Sequence, residues 1–442
     1  MKSKNYKKKI FKSFDKSYSA EVFFKKPDKY REIEKFSKLT DIIITSGSNF
    51  SYAPAGFGER KLSLDLKRFN RILDFNYQEK EITVEAGLKI SEFLNFTLKH
   101  DLWIPQLPGY PYISLGGAVA SNVHGKSCST HGTIRNAIKK ILIFHKTHGW
   151  INLSNNENKE IFDLTIGGLG LTGTIVSITF KLSELKEKNF ITTKEKVNSL
   201  SECMNYINKN SLNNEFIYSW NRADSLKNFG KGFIFRNTID INSSKKFNNI
   251  DNYKKKINLI PLNAWNKFTI KMANIFFGLI QNWKADRSNE EFKTVLFPFV
   301  SNESYFNLFG YKGFIESQLM IAQNKLNEFI EEFKVLYKLH QPTITLMSLK
   351  NIKGEHRYLR FEDNKICLTF DFTNDKRNLI FLDELDKLCM KYKVIPSIIK
   401  DSRLPKEVMD KCYLEADEFR KDLRKFDKNR LYQSRLSDRL EL

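Results

Sequence analysis

The chain has 442 residues, which is longer than one hydrophobic core usually supports, so two lobes are expected. Hydrophobic residues make up 41% of the chain and aromatic residues 13%, which excludes a disordered protein. The formal net charge is +22, but the basic residues are spread through every segment among 51 acids. This distribution argues against a nucleic-acid-binding protein and favours a surface that attracts anionic membranes or phosphorylated substrates.

The N-terminal segment MKSKNYKKKIFKSF is basic but lacks the apolar core of a signal peptide. No uninterrupted apolar run reaches the roughly eighteen residues of a spanning helix. Five scattered cysteines form no CxxC pair, which predicts a reducing compartment without a disulfide frame or a metal site. We therefore expect a cytoplasmic protein. The cysteines are Cys128, Cys203, Cys367, Cys389 and Cys412.

The first hundred residues are predicted to form a small α/β unit. Residues 41–45 (DIIIT) are typical of a buried strand, which runs into a small-residue loop at 46–52. Residues 61–66 and 81–85 alternate in polarity as strands do, and 89–100 show the apolar spacing of a helix. A glycine loop is thus expected at the end of a strand.

Residues 105–135, PQLPGYPYISLGGAVASNVHGKSCSTHGTIR, contain the motif around which the chain is organised. Small side chains at 116–122 allow the backbone to lie against a ligand, with its N–H groups free to hold phosphate oxygens. A tight turn into a closely packed helix is the alternative interpretation. The basic residues His124, Lys126 and His131 favour a phosphate or cofactor site.

Residues 168–173 (GLGLTG) match the GxGxxG fingerprint of Rossmann domains. That fingerprint requires a following helix, whose N-terminus faces the pyrophosphate. Residues 174–180 (TIVSITF) are instead β-branched and alternating, which predicts a strand. We therefore reject an NAD-binding Rossmann domain.

The chain has three glycine loops within its first 175 residues, each beside a predicted strand. One extended cofactor lying across all three accounts for them better than three separate sites. A flavin dinucleotide has the required length, and its central pyrophosphate needs backbone donors.

Residues 264–283, AWNKFTIKMANIFFGLIQNW, are apolar but interrupted by lysines and asparagines, so they are not expected to span a bilayer. A core helix is the favoured interpretation, and a helix lying on a membrane surface is the alternative. The residues that such an interfacial helix would bury are Trp265, Phe268, Ile270, Phe276, Phe277 and Trp283.

These motifs carry a resemblance to a known family. The sequences GSNFSY, PGYPYISLGGAVASNVHGKS and TIGGLGLTG resemble the FAD-binding domain of the vanillyl-alcohol-oxidase (PCMH) type of FAD-linked oxidases. The resemblance is closest to the branch of decaprenylphosphoryl-β-D-ribose oxidase and D-arabinono-1,4-lactone oxidase. Residues 399–403 (IKDSR) and 431–440 (LYQSRLSDRL) resemble the lysine-containing motif and the closing segment of that branch.

The resemblance implies an α+β fold with a two-subdomain PCMH-type FAD-binding domain and an inserted, mainly antiparallel-sheet substrate domain. Residues 1–183 would form the FAD-binding domain, 184–394 the substrate (cap) domain, and 395–442 a C-terminal return to the FAD-binding domain. No histidine stands at the position that carries a covalent flavin bond in some relatives, so FAD is expected to be held without such a bond.

The family's cofactor contacts transfer to small and polar residues of the first lobe. They imply FAD binding by Gly47, Ser48, Asn49, Tyr52, Gly109, Ser114, Gly116, Gly117, Ser121, Asn122, Gly125, Gly132, Gly168, Gly173 and Ile175.

The implied catalytic residues are Lys400 and His124. A lysine near the N1 and C2 carbonyl edge of a flavin would stabilise the negative charge that builds there as hydride arrives at N5. An ordinary surface ion pair with Asp401 is the alternative. The base that takes the hydroxyl proton is left open between His124, Lys400 and a bound water.

The resemblance implies substrate contacts by Lys126, Gln318, Lys350 and Cys367, of which Cys367 also fits an ordinary buried strand position. Glu316 and Lys365 replace amides expected of the ribose oxidases, and Ser397 replaces an aromatic residue. These departures leave FAD binding intact and weigh against a polyprenyl-phosphate substrate.

The implied reaction is oxidation of a sugar CH–OH group by hydride transfer to flavin N5, with a polyprenyl-phosphate-linked, nucleotide-linked or other lipid-linked pentose as one donor class. The branch also implies a role in cell-wall or polysaccharide biosynthesis, a partner reductase that completes an epimerisation, and a peripheral position on the inner face of the cytoplasmic membrane. One alternative is a soluble aldonolactone or sugar oxidase that uses oxygen. The alternative of another class is a basic nucleic-acid-binding protein without catalysis.

Overall fold

The computed structural model describes residues 7–243, 247–251, 261–300, 304–361 and 365–442, so the first six residues of the basic N-terminal segment lie outside the described part. The N-terminal region is rich in short strands. These strands are β1 (Lys7–Lys12), β2 (Ser19–Lys25), β3 (Ile43–Ser46), β4 (Leu62–Asp65), β5 (Ile72–Asn76), β6 (Glu81–Glu85), β7 (Leu102–Trp103), β8 (Ile138–His145), β9 (Gly149–Ser154), β10 (Thr174–Lys181) and β11 (Ser183–Glu184).

These strands form two main sheets. The first has the order β1-β2-β4-β3, with β2 and β3 parallel to β4. The second is antiparallel, with the order β5-β6-β10-β8-β9, and β7 pairs separately with β11. The strand predicted directly after the GLGLTG loop is confirmed as β10. No helix follows those glycines, so rejection of a Rossmann unit is correct.

A larger antiparallel sheet follows in the second half of the chain. Its strands are β12 (Asn189–Val197), β13 (Phe216–Asn221), β14 (Gly232–Ile239), β15 (Arg287–Glu291), β16 (Phe314–Ile321), β17 (Ile344–Ile352), β18 (Lys365–Thr373) and β19 (Ile395–Pro396). They are arranged in the order β15-β12-β14-β13-β17-β18-β16-β19.

Helices cover the sheets, which gives an α+β architecture. The helices are α1 (Tyr30–Ser37), α2 (Ile90–Thr97), α3 (Leu115–Ala120), α4 (Lys159–Thr165), α5 (Leu200–Asn210), α6 (Lys267–Trp283), α7 (Phe292–Leu296), α8 (Ser304–Asn307), α9 (Leu326–His340), α10 (Lys376–Tyr392), α11 (Lys406–Cys412), α12 (Ala416–Phe426) and α13 (Arg435–Leu440).

Strand β18 shows how the large sheet separates a core from a cavity. Side chains alternate across a strand, so Phe370 and Phe372 point to one face, and Thr369 and Asp371 to the other. Phe370 stacks on Phe333 of α9 with ring centroids 4.9 Å apart, on the helix-covered face. Thr369 and Asp371 line a cavity on the opposite face.

The C-terminal segment returns to the N-terminal sheets. Tyr432 forms a parallel bridge with Ile43 of β3, and the backbone N–H of Gln433 donates to the Ile43 carbonyl. The Tyr432 hydroxyl donates to the Phe144 carbonyl of β8 at 3.0 Å. These contacts place residues from both ends of the chain around one group of strands, while the domain boundaries at 183 and 394 stay predictions.

Helix α6 contradicts the core-helix interpretation of residues 264–283. It begins at a capping Asn266, whose side chain accepts from two backbone N–H groups. Phe268 is 71% exposed, Phe276 57% and Trp283 87%, whereas Ile270 is buried. The inner face alone packs on the protein, and a large apolar face is left to solvent. Within the described residues, no helix is long and apolar enough to cross a membrane.

Candidate active site

One large cavity lies between the glycine loops of the N-terminal sheets and the open face of the eight-stranded sheet. Its volume is about 1230 Å³. Pockets for drug-sized ligands usually have about 300–1,000 Å³, so this cavity has room for a dinucleotide cofactor together with a substrate.

The loop wall of the cavity is built by close backbone contacts. A Cβ atom on Gly47 would lie 2.0 Å from Ser114 Oγ, and one on Gly125 would lie 2.0 Å from the Leu107 carbonyl oxygen. Gly173 has a φ of +132°, which favours glycine. Residues of all three glycine loops line the same cavity, and only small side chains such as that of Ser114 separate the first loop from the second. This continuous small-residue cradle fits an elongated FAD.

Helix α3 fits both interpretations of residues 116–122, the closely packed helix and the cofactor site. A Cβ atom on Gly116 would lie 2.7 Å from the Ala86 Cβ, so the helix backbone packs tightly against the end of β6. Gly117 faces the cavity, where an added Cβ would meet only Ser114 Oγ, at 3.1 Å. The segment is thus a closely packed helix whose other side forms part of the cradle.

Most residues predicted to bind FAD line this cavity. They are Gly47, Ser48, Asn49, Tyr52, Gly109, Ser114, Gly116, Gly117, Ser121, Gly125, Gly173 and Ile175. The remaining three, Asn122, Gly132 and Gly168, lie away from its wall. A Cβ on Gly168 would meet the Leu164 carbonyl at 1.9 Å, and one on Gly132 would meet Asn136, so both glycines serve tight loop packing.

Lys400 lies on the sheet side of the cavity. Its Nζ is 3.1 Å from Glu316 Oε1 and 3.8 Å from the centroid of the Tyr52 ring. Asp401 instead pairs with Arg403 at 3.2 Å, so an ion pair between Lys400 and Asp401 is not formed. Lys400 therefore places its positive charge in the cavity wall, against a carboxylate and an aromatic face.

His124 is the predicted catalytic residue on the loop side. It lines the cavity and stacks on Phe361 with ring centroids 5.7 Å apart. Burial, followed by the charges of Lys350 and Lys400, holds the pKa of His124 well below its usual value. The imidazole is therefore neutral near pH 7, and two cations oppose its protonation.

Lys126 is a cation whose charge depends on pH near neutrality. Its Nζ lies 4.4 Å from the Tyr218 ring centroid and donates to the Val295 carbonyl. Burial and the neighbouring Lys350 lower the pKa of Lys126 to about 7. Lys126 and Lys350 both line the cavity, so they provide positive charge for an anionic group of a ligand.

Gln318 lines the cavity, whereas Cys367, on the same face of β18 as Thr369, is not among the lining residues. Cys367 is fully buried, with its Sγ 3.9 Å from Thr369 Oγ1, and burial raises the pKa of its thiol. The interpretation of Cys367 as a buried strand residue fits this position.

Two site residues, Asp371 and Tyr305, were missed by sequence reasoning. Both line the cavity, and the Tyr305 hydroxyl donates to Asp371 Oδ2 at 2.8 Å. A signal for Asp371 was present, because a carboxylate inside the apolar strand ICLTFDF is rarely buried without a partner. Tyr305 lies in the short helix α8, and its local sequence carries no comparable signal.

Comparisons with known proteins agree with this site. A family model described as an FAD binding domain matches residues 23–150. Decaprenylphosphoryl-β-D-ribose oxidase of Mycolicibacterium smegmatis is 23% identical over 419 residues, covering 90% of this chain and 89% of that protein. These matches support the predicted resemblance of the chain to the PCMH-type FAD-linked oxidases.

Two further relatives of this oxidase act on lactones by name. D-arabinono-1,4-lactone oxidase of Debaryomyces hansenii is 23% identical over 46% of this chain and 39% of its own. L-gulonolactone oxidase of Mus musculus is 20% identical over 72% of this chain and 68% of its own. The oxidase is an FAD-dependent oxidoreductase that acts on CH–OH donors. FAD bound along the glycine cradle would supply a two-electron oxidant.

Proposed function

We propose that the oxidase acts on a CH–OH group of a sugar carried on a lipid phosphate. The observation that carries this proposal is an aromatic arm of the cavity beside Lys126, lined by residues of β13, β14 and α6. These residues are Tyr218, Trp220, Phe235, Phe277 and Ile280. Such walls suit an apolar chain, and the adjacent lysines suit a phosphate.

The printed name of the Mycolicibacterium relative supports the same donor class, since that protein is a decaprenylphosphoryl-sugar oxidase and aligns over nearly the whole chain. Glu316 stands where the resemblance to the ribose oxidases implies an amide. Because Glu316 is on the sheet side and the aromatic arm is on the α6 side, the departure affects how the sugar is held and leaves the lipid arm intact.

The proposal is tested by the visible spectrum of the purified holoenzyme under anaerobic conditions. Addition of a short-chain polyprenylphosphoryl pentose is expected to bleach the flavin bands, because the sugar reduces bound FAD. The free pentose is the matched control and should bleach at least tenfold more slowly at equal concentration, since it lacks the lipid and phosphate contacts. Equal rates would contradict a lipid-linked donor.

Helix α6 provides a further part of the proposal, attachment to an anionic membrane surface. Its exposed face carries Phe268, Phe276 and Trp283, and Lys267 and Lys271 lie on the same helix. Apolar side chains with lysines at the polar boundary are typical of interfacial helices. The aromatic arm of the cavity reaches the inner face of this helix, so a lipid chain would enter from the bilayer.

The membrane part is tested by co-sedimentation with vesicles that contain phosphatidylserine or phosphatidylglycerol. The triple change Phe268→Ser, Phe276→Ser, Trp283→Ser should weaken binding at least tenfold, since three exposed apolar side chains lose their contact with the lipid. Trp265 and Phe277 are unsuitable, because they pack against Tyr305 and Trp220. Unchanged binding would contradict membrane attachment. Loss of self-association would instead assign the face to a second copy.

A free aldonolactone is the second candidate donor. Glu316 and Asp371 offer carboxyl oxygens to hydroxyl groups of a neutral polyol, and two relatives are lactone oxidases by name. This candidate predicts bleaching by a free aldonolactone and rapid turnover in oxygenated buffer.

With either donor the product is a keto sugar or its equivalent, and we propose that a separate reductase consumes it.

A further inference from the structure

Two buried carboxyl groups face each other in the sheet wall of the cavity. Glu316 of β16 and Asp371 of β18 are direct partners in the antiparallel register. They are 6% and 3% exposed, and both line the cavity. Partners directly opposite on one sheet face have Cβ atoms about 4.5–5.5 Å apart, so their carboxyl groups are neighbours.

Glu316 has two polar side chains as close partners. Its Oε1 accepts from Gln318 Nε2 at 2.7 Å and lies 3.1 Å from the ammonium of Lys400. In the described part of the chain, Lys400 is the cation within salt-bridge distance of this pair of acids. One positive charge therefore faces two acids.

Asp371 is buried, and only one of its two carboxyl oxygens has a hydrogen-bond partner among the described residues. Its Oδ2 accepts from the Tyr305 hydroxyl at 2.8 Å, whereas its Oδ1 is buried without a hydrogen-bond partner among the described residues. Burial, followed by the negative charge of Glu316, raises the pKa of Asp371 well above its usual value. A buried pair of like charges is avoided when one member keeps its proton.

We infer that Glu316 and Asp371 hold one proton between them, and that the Glu316 carboxylate is the base that accepts the substrate's hydroxyl proton. This inference rests on the proposed CH–OH oxidation. For each CH–OH group oxidised to a carbonyl, a hydride goes to FAD and the O–H bond breaks as an O–H bond to Glu316 forms. The proton then passes to solvent before the next turnover. Asp371 is a positioning residue that acts through Glu316.

The charges around the cavity favour this assignment over the other candidate bases. Protonation of His124 is opposed by Lys350 and Lys400, which both face it. Lys400, as the ammonium of an ion pair, has donors and no acceptor. Glu316 carries the negative charge that a proton neutralises. The titratable and charged groups that face the acid pair from the elements packed against it are Tyr52, Tyr305, Lys350 and Lys400.

The test is infrared difference spectroscopy of the FAD-loaded protein, which needs no substrate. Wild-type protein near pH 7 should show a carboxylic acid C=O band that disappears as the pH is raised. Asp371→Asn should lack the band. Glu316→Gln should also lack it, because Asp371 then ionises beside the unpaired Lys400. The matched controls Glu331→Gln and Asp417→Asn are on exposed side chains and should keep the band.

Single-turnover bleaching by the active sugar is the second measurement. Glu316→Gln should slow bleaching by about 100- to 10,000-fold with FAD still bound, which is the usual contribution of a general base. Glu316→Asp should restore part of the rate, and Asp371→Asn should slow it by roughly tenfold.

Each outcome decides the assignment. A missing band in the wild-type protein, or bleaching by Glu316→Gln within threefold of the wild type, overturns the inference. If the band survives in Asp371→Asn but is absent from Glu316→Gln, Glu316 is the protonated acid. That result overturns the assignment of Glu316 as the base and Asp371 as the positioning residue. If no sugar bleaches FAD but the infrared band responds to pH and to the substitutions as expected, the proposed sugar substrate is wrong. The inference that Glu316 and Asp371 share one proton is then still supported.

Discussion

The two walls of the cavity differ in what builds them. The loop wall consists of backbone, with glycines such as Gly47 and Gly125 pressed against neighbouring loops. The sheet wall includes charged side chains, with Glu316 3.1 Å from Lys400 and directly opposite Asp371 in the sheet register. The glycines of the first wall can only bind, because they carry no titratable group, although His124 and Lys126 lie beside them. The second can move protons, so cofactor binding and chemistry are separable by mutation.

Removal of the Lys400 charge is expected to give a large effect on the sheet wall, second to that of Glu316→Gln. Lys400→Met leaves Glu316 buried without its cation, so the rate of flavin bleaching should fall by about 100- to 1,000-fold, as for loss of one preorganised electrostatic partner. Bound FAD should be retained, since the loop wall is unchanged. Stopped-flow absorbance measures the rate, and Lys400→Arg should recover part of it. Loss of FAD from Lys400→Met would show that the walls are not separable.

A change in the loop wall should have the opposite signature. Gly125→Ala places a Cβ about where the Leu107 carbonyl stands, at 2.0 Å, and a backbone atom cannot move aside cheaply. We expect FAD binding to weaken by about 10- to 100-fold from this overpacking. The rate of the fraction that retains FAD should stay near wild type. Gly278→Ala, where an added Cβ meets nothing within 4 Å, is the matched control for fluorescence titration of FAD.

Lys126 should make substrate affinity depend on pH. Its pKa of about 7 means that the ammonium is charged below pH 7 and neutral above it. The dissociation constant of a phosphate-bearing donor should therefore rise by about tenfold between pH 6 and pH 8, because one charge contact is lost. Lys126→Met should remove this dependence. Titration by bleaching amplitude checks both proteins, and an equally steep change in Lys126→Met would assign the dependence to another group.

His124 should give the smallest effect, on stability. Its pKa is lowered in the folded protein, so the unfolded chain binds a proton below about pH 6.5 that the folded protein does not. The stability that it contributes is present above that pH and is lost as the pH falls. Between pH 7 and 5.5 the free energy of unfolding should fall by about 1 kcal/mol less in His124→Gln than in the wild type. Urea unfolding at both pH values measures the difference.

Sequence reasoning succeeded best where local chemistry decides structure. The β-branched run after GLGLTG predicted β10, and the small-residue loops predicted the cradle. It failed at residues 264–283, where an apolar composition favoured a core helix but α6 exposes most of its large side chains. Composition shows that this segment is apolar, but it does not show how much of the segment's surface is covered by other helices and strands. Asn122, Gly132 and Gly168 were predicted to contact FAD but lie away from the cavity, because a small or polar residue type does not state which surface the residue faces.

The amino-acid sequence by itself determined the glycine loops of the first wall. Glycine is favoured where two backbone segments come into van der Waals contact or where φ is positive, and a glycine-rich loop can be recognised from neighbouring residues alone. Only the tertiary structure decided the acid pair. Glu316 and Asp371 are separated by helix α9 and strand β17 along the chain, and their partner Lys400 comes later still. Their proximity depends on the register of β16 and β18, which no local pattern states.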